Sequence, residues 1–228
     1  MEQMRRFRSS VVEWAAGRSG APEAAAAAQE LAARTGLRTV ILVEGHSDQA
    51  AVEQLAARLG RDLDAECSPV VPLGGVTSIG RFLHVLGPQG LNVDVAGLCD
   101  AAEERFFQRG LERAGLGHDL GRVEMERRGF QVCVADLEDE LIRALGADTV
   151  KEVVESQGEG RSFRTFQKQP VQRERSVEQQ LHRFMGTHSG RKAQYARLLA
   201  RHLDLGDVPG PLARLLAHVA NCEAPAAG

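Results

Sequence analysis

Acidic residues in this sequence fall again and again just past short apolar runs. Glu44 follows Thr39-Val40-Ile41-Leu42-Val43 directly, and Asp48 lies four residues on. Asp100 closes the apolar run 93–98, with Glu103 and Glu104 one helical turn further. Asp136 and Glu138 follow the run 130–134. Carboxylates gathered in one place repel one another unless a cation lies between them, and oxygen ligands suit Mg²⁺ or Mn²⁺. Two such ions, side by side, stabilise both the attacking and the leaving oxygen of a phosphoryl transfer. Each acid also has a plainer reading, because Asp and Glu after a strand often cap the next helix or meet its dipole. Asp48 and Asp136 fit that role too. Glu44 fits it less well, since it precedes a glycine in a tight turn, and Asp100 has a similar setting. Asp139 and Glu140 read as solvated helix face.

The elements that would position these acids alternate. The run 39–43 is β-branched and apolar throughout, the mark of a strand buried on both faces. A helix is expected over 50–59, capped by Ser47 or Asp48. A second strand at 69–73 carries two prolines and suits a sheet edge. Gly74-Gly75 and a helix over 79–86 follow, then strand 93–98, helix 101–114, strand 130–134 and helix 137–145. Strand–helix alternation implies an α/β fold, a mostly parallel four-stranded sheet with helices on both faces. Working groups in such a sheet lie past the carboxyl ends of the strands. Residues 1–36 read as a helical arm, broken at Ser19-Gly20-Ala21-Pro22 and stopped at Gly36. The α/β core spans 37–147 and a helical lobe 148–223, with helices over 177–185, 192–203 and 211–219. Residues 162–166 read as an extended piece and 224–228 as a frayed tail.

Composition narrows the functions. Aromatic residues are only 4% of the chain, which argues against a single-strand binder built on stacking platforms. The four cysteines form no C-x-x-C pair, so neither a zinc site nor a disulfide framework is expected. Cys99 and Cys133 read as small core residues. The opening MEQMRRFRSS lacks the apolar stretch of a signal peptide, and no apolar run reaches membrane-spanning length. A soluble, cytoplasmic protein is expected. Residues 61–160 hold 10 Lys/Arg against 19 Asp/Glu, whereas 161–201 hold 10 against 2. An acidic middle beside a basic stretch suits a carboxylate metal site next to a phosphate-attracting face; a solvated basic helix face is the alternative. Arg161, Arg164, Lys168, Arg173, Arg175 and Arg191 are the candidate phosphate contacts, and Gly74-Gly75 could admit a backbone close to nucleic acid or merely make a turn. His46 and Thr187-His188-Ser189-Gly190 could touch phosphate or serve as plain loops.

Several of these segments together resemble the TOPRIM domains of the OLD (overcoming lysogenization defect) family. Val43-Glu44-Gly45-His46-Ser47-Asp48 resembles the TOPRIM glutamate motif, and Leu73-Gly74-Gly75-Val76-Thr77-Ser78-Ile79 the glycine-rich segment that follows it. Asp100 falls where the family's D-x-D begins, Asp136-Leu137-Glu138 resembles its later acidic segment, and Arg191-Lys192 its late lysine. The resemblance implies a TOPRIM fold and two-metal cleavage of nucleic acid by Mg²⁺ or Mn²⁺, with DNA favoured over RNA. By this resemblance Glu44 and Asp100 hold one ion, Asp48 and Glu138 help hold the second, and Lys192 stabilises charge on the phosphate. Glu44 could also act as general acid or base. The sequence departs from D-x-D at Asp100-Ala101-Ala102, where Glu103 or Glu104 could reach in. No G-x-x-x-x-G-K-[ST] loop is present, so an ABC-type ATPase is expected only in trans, if at all. Tyr195 reads as packing, which speaks against a topoisomerase. The N-terminal helices could be a homodimer arm or a docking site for a partner.

Overall fold

The computed structural model describes residues 2–187 and 190–222. Thr39 to Val43 form strand β1 (Thr39–Val43), buried at every position. Its side chains alternate between two apolar clusters: Ile41 and Val43 enter one, Val40 and Leu42 the other. Three further strands, β2 (Val70–Pro72), β3 (Asp94–Cys99) and β4 (Phe130–Val132), complete an all-parallel sheet in the order β2-β1-β3-β4. The proline-bearing β2 sits at the edge, as its sequence requires.

Helices cover both faces. On one lie α1 (Glu2–Ala16), α2 (Ala21–Thr35), α4 (Ile79–Leu86), α5 (Glu104–Arg113) and the short α6 (Arg122–Arg127). Gly36 ends α2 in the left-handed conformation, φ 63°. Met4, Phe7, Val11 and Ala15 of α1 are buried against this face, so the apolar stripe of the N-terminal arm is used within the chain. On the other face lie α3 (His46–Arg58), α7 (Leu137–Ser156), α9 (Val177–Met185), α10 (Arg191–His202) and α11 (Gly210–Asn221). Buried residues of the sheet, α3, α7, α9, α10 and α11 join in one apolar cluster, and α10 packs along α3.

Five local expectations change: Glu140, expected on a solvated helix face, is buried and accepts from the Val134 N–H at 2.7 Å. Residues 162–166 are helical, inside α8 (Gly160–Gln167). Phe163 and Phe166, three apart, both meet Phe184, with ring centroids 5.2 and 5.6 Å away, a spacing only a helix gives. The helix after β4 runs on past 145 to Ser156, bending at Gly146, φ 76°. The segment 101–114 opens with a 3₁₀ turn, Ala101–Glu103, before α5 begins. Helix α6 was not legible: it is six residues long and buries only Met125. The tail expected at 224–228 and the loop residues His188 and Ser189 lie outside the described residues. Among those described, no helix is long and apolar enough to cross a membrane.

Candidate metal centre

The carboxyl edge of the sheet collects the acids. Gly45, extended, caps α3, and Asp48 on the first turn accepts a hydrogen bond from the Gly45 N–H at 2.8 Å. That bond closes the turn holding Glu44, and it is half of a capping box. Asp48 is therefore a cap, as its plainer reading allowed, yet it also faces the fields of Glu138 and Glu44. β3 ends at Cys99, Asp100 follows it, and the 3₁₀ turn Ala101–Glu103 brings Glu103 next to both Asp100 and Glu44. Glu44, Asp100 and Glu103 each place one carboxylate oxygen within 4.8 Å of the others. Glu104 is turned elsewhere, bonded by Arg122 through Nη2 at 2.5 Å and Nε at 3.1 Å.

β4 supplies a second group. Asp136 caps α7, its Oδ1 accepting from the Asp139 N–H at 2.8 Å. Its Oδ2 lies 2.6 Å from His182 Nε2 on α9. One donor atom each from Asp136, Glu138 and His182 again lies within 4.8 Å of the others. Lys192, in the first turn of α10, brings Nζ to 3.1 Å from Glu138 Oε2. Arg191 beside it is held otherwise: it pairs with Glu159 at 3.1 Å and stacks 4.7 Å from the centre of the Phe184 ring. Glu159 also accepts from the hydroxyl of Tyr195, a buried residue. His182 carried no signal in sequence, since one of four histidines in the helical lobe says nothing until packing shows its neighbour.

The remaining candidates scatter. Gly74 and Gly75 adopt φ 68° and 121°, which favours glycine, and the Gly74 N–H bonds the Glu44 carbonyl at 3.2 Å. Open space lies where their Cβ atoms would be. Arg175 lines a groove of about 550 Å³ with Arg143, Arg183, Asp136 and His182. Arg164 pairs with Glu155, while Arg161, Lys168 and Arg173 stand exposed on α8 and the turn beyond it.

The electrostatics describe negative charge without enough compensation. Burial, then the neighbouring Glu138, pushes Asp48 up to about 7. Burial, then Asp48, Asp136 and Glu44, pushes Asp100 up to about 8, and burial with Glu44 pushes Glu103 up to about 7. Asp136 differs: burial works against its charge, but bonds from His182 and the Asp139 N–H hold it below the usual range. Its partner His182 is raised by that same bond. Glu138 is only 3% exposed and its Oε1 has no hydrogen-bond partner; the buried Oε2 of Glu103 has none either. Each group thus presents a buried, unsatisfied carboxylate oxygen, costly unless a cation takes it up. Carboxylates so placed fit Mg²⁺ or Mn²⁺.

A pH dependence follows. Asp48, Asp100 and Glu103 bind their protons more tightly folded than unfolded. Such groups stabilise fully below the unfolded pKa, and that contribution is lost as pH rises through the folded one. Metal-free protein should therefore melt at progressively lower temperature between about pH 5 and about pH 8, a window in which Asp136 stays ionised. Mn²⁺ should raise the melting temperature more at pH 8 than at pH 6, roughly as mass action on the ionised site demands. Thermal scans in EDTA and in Mn²⁺ test this; a metal-free melting temperature that climbs steadily to pH 8 contradicts it.

Residues 37–101 match the family described as "Overcoming lysogenization defect protein-like, TOPRIM domain". That stretch holds Glu44, Asp48, Gly74, Gly75 and Asp100. The C-terminal region of the Xanthomonas campestris pv. campestris OLD protein superposes with a TM-score of 0.64 at 25% identity, covering 80% of this chain and 92% of that one. The C-terminal region of the Burkholderia pseudomallei OLD protein shares the fold, with a TM-score of 0.63, 21% identity and coverage of 80% and 97%. No curated protein matches this chain.

Proposed function

We propose that this OLD-like TOPRIM domain, which resembles the C-terminal region of OLD proteins, cleaves DNA as a Mg²⁺- or Mn²⁺-dependent endonuclease or nickase. The observation that carries the proposal is the pair of acidic groups at the carboxyl edge of a parallel sheet, each with a buried, partnerless carboxylate oxygen, beside Lys192. Glu44, Asp100 and Glu103 would hold one ion, and Glu138 with Asp48 and Asp136 the second. When bound, the ions supply Lewis-acid stabilisation of the phosphoryl oxygens and of the attacking water. A water oxygen would bond to phosphorus as the bond to the bridging ester oxygen breaks; Glu44 would take the proton of the water, and the departing oxygen would take one from solvent. Lys192 offsets the charge that grows on the phosphate. Arg175 and the Gly74-Gly75 backbone would position the strand by its phosphates, not by base edges.

Glu103, not Glu104, stands in for the second acid of D-x-D. Glu103→Gln should lower cleavage at least tenfold, on the order of losing one group that supports a metal. Glu104→Gln should leave the rate within about twofold and cost about 1 kcal/mol at most, since it breaks one partly exposed ion pair with Arg122. Equal losses in the two variants would reject this assignment.

Ala102 favours a second reading, a TOPRIM module that binds nucleic acid or a separate ABC-type ATPase without cleaving. Supercoiled plasmid and RNA, each incubated with folded protein in Mn²⁺, Mg²⁺ or EDTA, separate the alternatives. Metal-dependent plasmid nicking supports the endonuclease. Cleavage of RNA alone moves the substrate, and metal binding with no cleavage of either supports the binding module.

A further inference from the structure

We propose that His182 is a nitrogen ligand at the second cation position and makes that position favour Mn²⁺ over Mg²⁺. The inference rests on the metal part of the function proposed above and not on cleavage. Helix α9 is anchored by a capping box, with Ser176 and Gln179 exchanging bonds of 3.2 and 3.3 Å. That start fixes the rotation of the helix: Leu181, Phe184 and Met185 turn into the core, and His182 faces the first turn of α7. There Nε2 meets Asp136 Oδ2 at 2.6 Å, and donor atoms of Asp136, Glu138 and His182 all lie within 4.8 Å.

A histidine beside an aspartate is commonly only an ion pair. Glu138 points to more. Its side chain is almost wholly buried, and Oε1 is unpartnered although a lysine and a histidine stand close by. An ion pair of Asp136 and His182 alone gives the Glu138 carboxylate no hydrogen bond, whereas a cation among the three residues would be held by one of its oxygens. The ion would replace the hydrogen shared by Nε2 and Oδ2, which leaves to solvent. Two carboxylates accept Mg²⁺ and Mn²⁺ alike, but Mg²⁺ holds to oxygen donors whereas a first-row transition ion such as Mn²⁺ accepts an imidazole nitrogen. The first group has only carboxylates, so the two positions should differ in selectivity.

The test is pulsed electron paramagnetic resonance on the full chain loaded with Mn²⁺ alone, read for ¹⁴N coupling. Wild-type protein should show the coupling. His182→Ala should remove it and weaken one Mn²⁺ site by about tenfold, with Mg²⁺ affinity changed much less. His182→Gln keeps a hydrogen-bond donor for Asp136 and so guards against a folding defect; it too should lose the coupling. His46→Ala should retain it, because that ring opens α3, lies 3.4 Å from Gln49 Oε1 and belongs to neither acidic group. No nitrogen coupling in Mn²⁺-loaded wild type, coupling that survives in both His182 variants, or equal losses of Mn²⁺ and Mg²⁺ affinity would overturn the proposal. Nitrogen coupling in a protein that cleaves nothing would support it and count against the nuclease alone.

Discussion

Glu44→Gln should lower metal-dependent DNA cleavage by about a thousandfold or more, while the metal-free protein becomes more stable. The loss is of the size expected when a group that both holds an ion and moves a proton is removed from a phosphoryl-transfer site. The gain has a separate origin. Glu44 raises the proton affinity of Asp48, Asp100 and Glu103, so its charge works against theirs when EDTA keeps ions away. Glutamine keeps the shape, and the backbone bond from Gly74 to the Glu44 carbonyl does not depend on the side chain. Plasmid nicking in Mn²⁺ beside thermal melting in EDTA at pH 8 reads both effects. Unchanged nicking, or a lower melting temperature in EDTA, would contradict the account.

Lys192→Met should have the same sign on activity and the opposite sign on stability. Cleavage should fall by about a hundredfold, the effect of losing one preorganised group facing transition-state charge, with the change mainly in kcat. Lys192 is also the cation nearest to buried Glu138. Its removal takes the ion-pair partner from that carboxylate and leaves only His182 nearby, at a cost of about 1–2 kcal/mol, reduced because the lysine is half exposed. Saturating Mn²⁺ should restore the stability and not the rate. A variant whose rate and stability recover together would show that Lys192 acts only as a structural partner of Glu138.

The contrast between these variants reflects how far chemistry is written locally. The strands were legible because β-branched apolar runs have few other places to go, and the acids after them because strand ends in a parallel sheet face one edge. The order β2-β1-β3-β4 was not legible, since pairing depends on which helices cover which face. Choosing between Glu103 and Glu104 required the 3₁₀ turn at Ala101–Glu103, a one-residue matter of direction. His182 required the docking of α9 onto α7, a contact between residues 46 positions apart. The misreading of 162–166 has a similar cause: short segments take their state from what they pack on, here Phe184. Arg191 shows the limit of charge counting, since Glu159 and the Phe184 ring already engage its guanidinium.

The proposed chemistry needs two divalent ions at one edge of the sheet, one in each acidic group. Crystals grown with Mn²⁺ and measured at a wavelength where manganese scatters anomalously test it most directly. Two anomalous peaks are expected, one among Glu44, Asp100 and Glu103, the other among Asp136, Glu138 and His182. Saturating Mn²⁺ that leaves either group empty, or ions seated only on acids away from the sheet edge, would contradict it.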